Sequence, residues 1–280
     1  MFRKILVPLD GSENAERSLA WVRTYAAHSD TTVVLVRALT KVYPLEGLPF
    51  GAQEDEAAKY LEGVQKLLLA DQILTKIHLP QNTASESIVQ IAMREKCALI
   101  VMTTRGASKV IRWLIGGVTQ QVIRISPIPV LVIRSQAPRN TGPNPRRILV
   151  PQDGSARAKR ALPWAERLAL FHEVPMEILH VEPRHHHPFR EGPASRGQAS
   201  PKLAHWCSLL RRRGIAATYR LSQGDPASEI LKSACPSDLL VMSTHGYGGL
   251  KHLVLGSVAE KVIYGTEAPI FISKHGSGRA

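Results

Sequence analysis

The chain states one pattern twice. Ile5-Leu6-Val7-Pro8-Leu9-Asp10-Gly11-Ser12 returns 143 residues later as Ile148-Leu149-Val150-Pro151-Gln152-Asp153-Gly154-Ser155. Val101-Met102-Thr103-Thr104-Arg105-Gly106 returns as Val241-Met242-Ser243-Thr244-His245-Gly246, and Gly116-Gly117-Val118 as Gly256-Ser257-Val258. Pro129-Val130-Leu131-Val132-Ile133 returns as Pro269-Ile270-Phe271-Ile272-Ser273. Solenoid repeats recur every ~20–50 residues, whereas this period is about one ordinary domain long. The chain is therefore expected to fold as two tandem domains, residues 1–137 and 147–275, with a Pro- and Gly-containing linker over 138–146 and a frayed tail over 276–280.

Each half alternates strand and helix signals. In the first, residues 4–8, 32–37, 76–79, 99–103 and 130–134 read as strands, and 54–69, 85–96 and 118–125 as helices. In the second, strands are expected at 148–151, 176–181, 217–221, 239–243 and 270–273. Asp10-Gly11-Ser12 is turn and helix-cap chemistry. After it Ala15, Leu19, Val22 and Ala26 share a helical face, which Ala158, Leu162, Ala165 and Ala169 repeat. Trp164 repeats Trp21, and Pro163 is expected to kink or weaken the second helix. Strands that alternate with helices build a parallel sheet covered on both faces. Right-handed crossovers then restrict the architecture to two doubly wound, five-stranded α/β domains.

The chain has no run of about 18 apolar residues, so no membrane span is expected. Met1-Phe2-Arg3-Lys4 leads straight into a strand, which reads as no signal peptide. Cys97, Cys207 and Cys235 stand at no metal spacing and read as reduced, buried thiols of a cytoplasmic protein. The net charge of +13 is spread over both halves, with 17 Lys+Arg against 12 Asp+Glu in residues 1–140. Such a surface attracts polyanions non-specifically. Aromatic residues are only 5% of the chain and no nucleic-acid motif is present, so specific nucleic-acid recognition is not expected. His185-His186-His187 lies in an irregular stretch, 183–201, and reads as an exposed loop rather than a metal site.

Open α/β sheets bind ligands beyond the carboxyl ends of their strands, at the point where the strand order reverses. In each half the polar clusters fall at the ends of the first and fourth strands. A glycine then opens the next helix, whose first turn offers unpaired N–H groups and the positive end of a dipole. Gly256-Ser257 adds a hydroxyl and completes a phosphate cradle.

These residues resemble the universal stress protein family in its tandem-domain form. The family's motif, Gly-x-x-Gly-x9-Gly-(Ser/Thr), is matched by Ser243-Thr244-His245-Gly246, nine residues, and Gly256-Ser257, with Ser243 in place of the first glycine. The resemblance implies a Rossmann-like, adenine-nucleotide alpha-hydrolase-like fold and ATP bound in the second half, with Mg2+ or Mn2+ as an optional companion. It implies Asp153 and Val181 beside adenine and ribose, Gly246 near ribose and phosphates, and Gly256, Ser257 and Val258 around the phosphates. Pro151, Met242, Thr244 and His245 complete that set. The corresponding first-half set is Pro8, Asp10, Ala38, Gly106, Gly116, Gly117 and Val118. The family also implies that the two domains pack as an internal pseudo-dimer, and the apolar runs 130–134 and 270–273 read as edge strands suited to that or to homodimerisation.

The first half departs from the motif, because Gly117 stands where a hydroxyl is expected. Thr119 is a candidate replacement, and Lys109 and Arg112 are candidate phosphate contacts. No Walker lysine motif occurs, and His245 becomes Arg105 in the other copy, so shared acid–base work is not expected of it. The expectation is a non-catalytic nucleotide-binding stress-response module with at most weak ATP hydrolysis and no catalytic or metal-ligating residue. A nucleotide-free scaffold and a slow ATPase are the alternatives.

Overall fold

A computed structural model describes residues 1–27, 30–39, 52–104, 116–134, 142–183, 201–243 and 256–274. They divide into two compact units between Pro143 and Asn144. The first unit runs β1 (Lys4–Pro8), α1 (Glu13–Glu16), α2 (Ser18–Ala26), β2 (Thr32–Val36), α3 (Ala52–Ala70), β3 (Leu74–His78), α4 (Ala84–Arg94), β4 (Leu99–Thr103), α5 (Gly117–Ile125) and β5 (Val130–Ile133). The second runs β6 (Arg147–Pro151), a 3-10 turn (Ala158–Ala161), α6 (Leu162–His172), β7 (Met176–Glu182), α7 (Pro201–Arg212), β8 (Ala217–Gln223), α8 (Pro226–Ser233), β9 (Asp238–Ser243), α9 (Ser257–Gly265) and β10 (Ile270–Ser273).

Within the first unit the strand order is β3-β2-β1-β4-β5, every pair parallel. Within the second it is β8-β7-β6-β9-β10, again all parallel. Each unit is thus a doubly wound five-stranded domain. Its order reverses beside its first strand, between β1 and β4 or between β6 and β9, where a crevice opens at the carboxyl ends. The central strands are apolar on both faces because helices cover both: every residue of β4 is buried, as are Ile148, Leu149 and Val150 of β6.

The expected first helical face holds, with Ala15, Leu19, Val22 and Ala26 buried beside Trp21 and Tyr25. Its second copy is corrected in two respects. Pro163 does not kink a helix, because α6 begins at Leu162 and places the proline in the first turn, where its missing N–H would have no intrahelical partner anyway. The preceding 3-10 turn, with about three residues per turn, shifts the phase of the face. Ala161, Trp164, Ala165, Leu168 and Ala169 are buried, while Ala158 and Leu162 are only half-buried. The expectation of three buried thiols is corrected as well. Cys97 and Cys207 are buried, and Cys235 is exposed in the turn after α8. Residues 138–141 of the expected linker, most of the stretch 183–201 with its histidines and the whole tail lie outside the described residues. Among those described, no helix is long and apolar enough to cross a membrane.

Candidate functional site

The site in the second unit starts where β6 ends. Gly154 takes φ +81°, a left-handed turn that a side chain would strain. The turn folds the Asp153 carboxylate back so that Oδ1 accepts the Ser155 N–H at 2.8 Å. The Ser155 hydroxyl then accepts the Ala158 N–H at 3.1 Å and caps the 3-10 turn. Gln152 ties this segment to the sheet, donating from its backbone N–H to the Leu179 carbonyl and from Nε2 to the Ala158 carbonyl, both at 2.8 Å. Its own carbonyl accepts from His180 Nδ1 at 2.7 Å. A carbonyl only accepts, so Nδ1 carries a proton. The Gln152 side chain is buried, and its Oε1 has no partner among the described residues.

Across the crevice β9 ends at Ser243, whose hydroxyl donates to the Arg157 carbonyl at 2.6 Å. The motif's missing glycine therefore costs no backbone freedom: Ser243 is the last residue of a regular strand, and its hydroxyl joins the two sides of the crevice. Gly256 precedes α9 as its N-cap in extended backbone, with no side chain capping the helix. The first N–H bonded within the helix is that of Glu260, to the Gly256 carbonyl. The amides of Ser257, Val258 and Ala259 accordingly have no intrahelical acceptor.

These parts enclose a cavity of about 730 Å3. From the ends of β6 and β7 come Pro151, Asp153 and Val181; from the end of β9 and the start of α9 come Met242, Gly256, Ser257 and Val258. Seven of the ten second-half residues singled out from the sequence thus line one cavity. Thr244, His245 and Gly246 lie outside the described residues. Sequence reasoning passed over Gln152, Arg157, His180, Pro226 and Ile230, which also line it. Arg157 is the one lysine or arginine among the described lining residues, and no carboxylate is paired with it there. The signal for it was weak: a lone arginine two residues past Ser155, replaced by Asn14 in the first copy.

In the first unit, Pro8 and Asp10 stand at the end of β1, Ala38 just past β2, and Gly116, Gly117 and Val118 at the start of α5. Gly116 donates its N–H to the Thr104 carbonyl at 2.7 Å, which links the end of β4 to that helix. Asp10 Oδ1 accepts from both the N–H and the hydroxyl of Ser12. Gly106, Lys109 and Arg112 lie outside the described residues. Thr119 does not replace the missing hydroxyl. It is buried, and its Oγ1 donates to the Thr103 carbonyl at 2.9 Å, because a threonine one turn into a helix backed by a sheet finds the nearest strand carbonyl before any ligand. A second difference lies over the turn. The Arg37 guanidinium, stacked 5.2 Å from the Tyr60 ring centroid, comes within 3.5 Å of where a Cβ on Gly11 would sit. His180 occupies the matching register in the second unit, and there a Cβ on Gly154 would meet nothing within 4 Å.

The fold defines a tandem α/β protein of Rossmann-like type, in which each domain reverses its strand order beside its first strand. The chain belongs to the universal stress protein family: the model of that family matches twice, over residues 1–134 and 144–274. A universal stress protein of Mycobacterium tuberculosis is 25% identical over 292 residues, covering 96% of this chain and 96% of the relative. One from Thermus aquaticus is 34% identical over 139 residues, which is 48% of this chain and 100% of the relative. Among solved structures, a universal stress protein from Archaeoglobus fulgidus superposes with a TM-score of 0.77 at 23% identity, covering 98% of this chain and 99% of that one, and so shares the fold.

Proposed function

We propose that the second domain binds an adenine nucleotide, ATP above all, and that the chain acts as a non-catalytic nucleotide-dependent stress-response module. The observation that carries this is the meeting, in one cavity, of the Asp153 carboxylate and the uncapped start of α9. A carboxylate is an acceptor with more than one site per oxygen, and the Ser155 N–H uses only part of that capacity, leaving Asp153 able to receive ribose hydroxyls. The amides of Ser257 and Val258, which have no acceptor within the helix, the Ser257 hydroxyl and the helix dipole suit phosphate oxygens. Arg157 supplies a positive charge on the wall of the same cavity. A cavity of about 730 Å3 falls within the ~300–1,000 Å3 usual for small-molecule sites.

Hydrolysis needs a positioned base and charge stabilisation beyond a cradle. His180, the histidine of the cavity wall, holds its Nδ1 on the Gln152 carbonyl, a structural commitment. Among the described residues no group of three or more His, Cys, Asp or Glu could hold a metal ion, so no step is assigned to Mg2+ or Mn2+. In the same reading the chain works in the cytoplasm, and its domains pack as an internal pseudo-dimer.

The test is denaturing mass spectrometry of nucleotide released from freshly purified, unsupplemented protein, quantified per chain. About one ATP per chain supports a single competent site in the second domain, and about two makes the first domain competent as well. No nucleotide, followed by no binding in an ATP titration, leaves the nucleotide-free scaffold.

A further inference from the structure

A second cavity, of about 390 Å3, lies in the first unit between the outermost strand β3 and helix α4. His78, Asn82, Ser87, Gln90 and Arg94 line it, together with Leu79, Pro80 and Ile91, and none of the first-half crevice residues does. Arg94 is the one lysine or arginine among its described lining residues. Arg94 Nη2 lies 3.2 Å from His78 Nδ1. A guanidinium only donates, so this contact calls on Nδ1 as the acceptor. Arg94 is paired with no carboxylate among the described residues. The nearby acid, Glu95, is already engaged by Lys76 at 3.1 Å and Lys4 at 3.4 Å, and it stands 3.3 Å from His78 Nε2 without forming an aligned hydrogen bond. Arg94 is exposed, so its remaining N–H groups are open to solvent or to a ligand.

Ser87 is the second, independent sign. It is 2% exposed, and its hydroxyl has no hydrogen-bond partner among the described residues. Buried hydroxyls are ordinarily satisfied, and an orphan asks for a reason. The fold does not require a polar residue there. Ala84-Ser85-Glu86 repeats as Ala227-Ser228-Glu229, so Ser87 stands where the second unit has Ile230. Arg94 has no counterpart at all on α8, which ends at Ser233. The hydroxyl and the guanidinium are therefore particular to this unit, and they border the same cavity.

We propose that this cavity, on the β3 and α4 side of the first unit, is a binding site for a small oxyanion of the phosphate or carboxylate type. Arg94 is its charged anchor, oriented by His78. The Ser87 hydroxyl turns about a single bond to donate to the anion, and the Asn82 and Gln90 amides close the rim. Guanidinium geometry suits planar or tetrahedral oxyanions and discriminates against chloride.

Equilibrium dialysis of the full-length chain against labelled inorganic phosphate, and separately against succinate, in about 0.15 M chloride (near physiological ionic strength) tests this without any nucleotide. Saturable binding of one probe is expected. Arg94→Gln should weaken it at least tenfold, and Ser87→Ala several-fold without lowering the melting temperature, while Arg23→Gln, at a partly exposed arginine that lines neither cavity, leaves it unchanged. No saturable binding of either probe overturns the proposal. So does binding left undiminished by Arg94→Gln, which would put the anion elsewhere, the second-domain cradle included. Should Arg94→Gln fail to fold, Ser87→Ala decides: unchanged binding overturns the site. The nucleotide reading can fail without altering any of these outcomes.

Discussion

The Ser243 hydroxyl donates a 2.6 Å hydrogen bond to the Arg157 carbonyl, joining the end of β9 to the segment that follows β6. The bond fixes the backbone from which the Arg157 side chain reaches the cavity wall. Arg157→Gln is expected to weaken ATP more than ADP and ADP more than AMP. Loss of one charge-assisted bond is worth about 1.5–3 kcal/mol, or roughly 10- to 100-fold for ATP. Ser243→Ala should cost about 1 kcal/mol of stability and a smaller, uniform loss across the three nucleotides. Calorimetric titration of the series checks both, and an equal loss of all three on Arg157→Gln would remove the guanidinium from the phosphates.

Gly117 is the point at which the first domain departs from the cradle, and the departure is reversible on steric grounds. A Cβ there would meet nothing within 4 Å, and α5 begins at this residue. Gly117→Ser is therefore expected to raise first-domain nucleotide affinity by roughly 10- to 100-fold, the value of one hydrogen bond to a charged group. The readout is the stoichiometry of released nucleotide, which should rise toward two per chain. Thr119→Val, which removes the bond to the Thr103 carbonyl, should lower stability and leave nucleotide content alone. A fall in nucleotide content on Thr119→Val would return that hydroxyl to the cradle.

His172 closes α6 and meets the Phe171 ring edge-on at 5.0 Å. A cation is ordinarily welcome at a helix C-terminus, yet burial pushes this imidazole down to about 4. The unfolded chain protonates it near 6.5. Between those values the unfolded state binds the extra proton, so stability falls as pH drops from about 6.5 to about 4 and levels off below. His172→Gln should flatten that part of the melting-temperature profile and leave the profile near pH 8 parallel to that of the parent. Parallel profiles throughout the acid range would show that His172 contributes nothing to acid sensitivity.

Much of the fold was legible because its signals are local and stated twice. Apolar runs such as 99–103 mark strands covered on both faces, and Asp153-Gly154-Ser155 marks a turn that only glycine makes without strain. Strand ends shifted by a residue or two, as β3 did from 76–79 to Leu74–His78, because an edge strand half open to water carries little pattern. The burial of Cys235, the phase of the face after Pro163 and the availability of Thr119 were misread, each for a tertiary reason. A thiol's exposure depends on where a turn emerges. A helical face depends on whether the preceding turn is 3-10 or α, and a hydroxyl goes to whichever acceptor the neighbouring strand brings within reach.

The sequence alone determined that there are two domains, that each is doubly wound, and that Asp153 and Gly256-Ser257 belong to one crevice, since repetition and periodicity survive in a linear string. Only the tertiary structure decided that Ser243 bridges to Arg157, that Arg37 lies over the Gly11 turn while the Gly154 turn stays open, and that Ser87 and Arg94 border a cavity of their own. Those relations join residues as many as 86 positions apart. They arise from the register of neighbouring strands and the packing of helices over them, and no spacing along the chain encodes them.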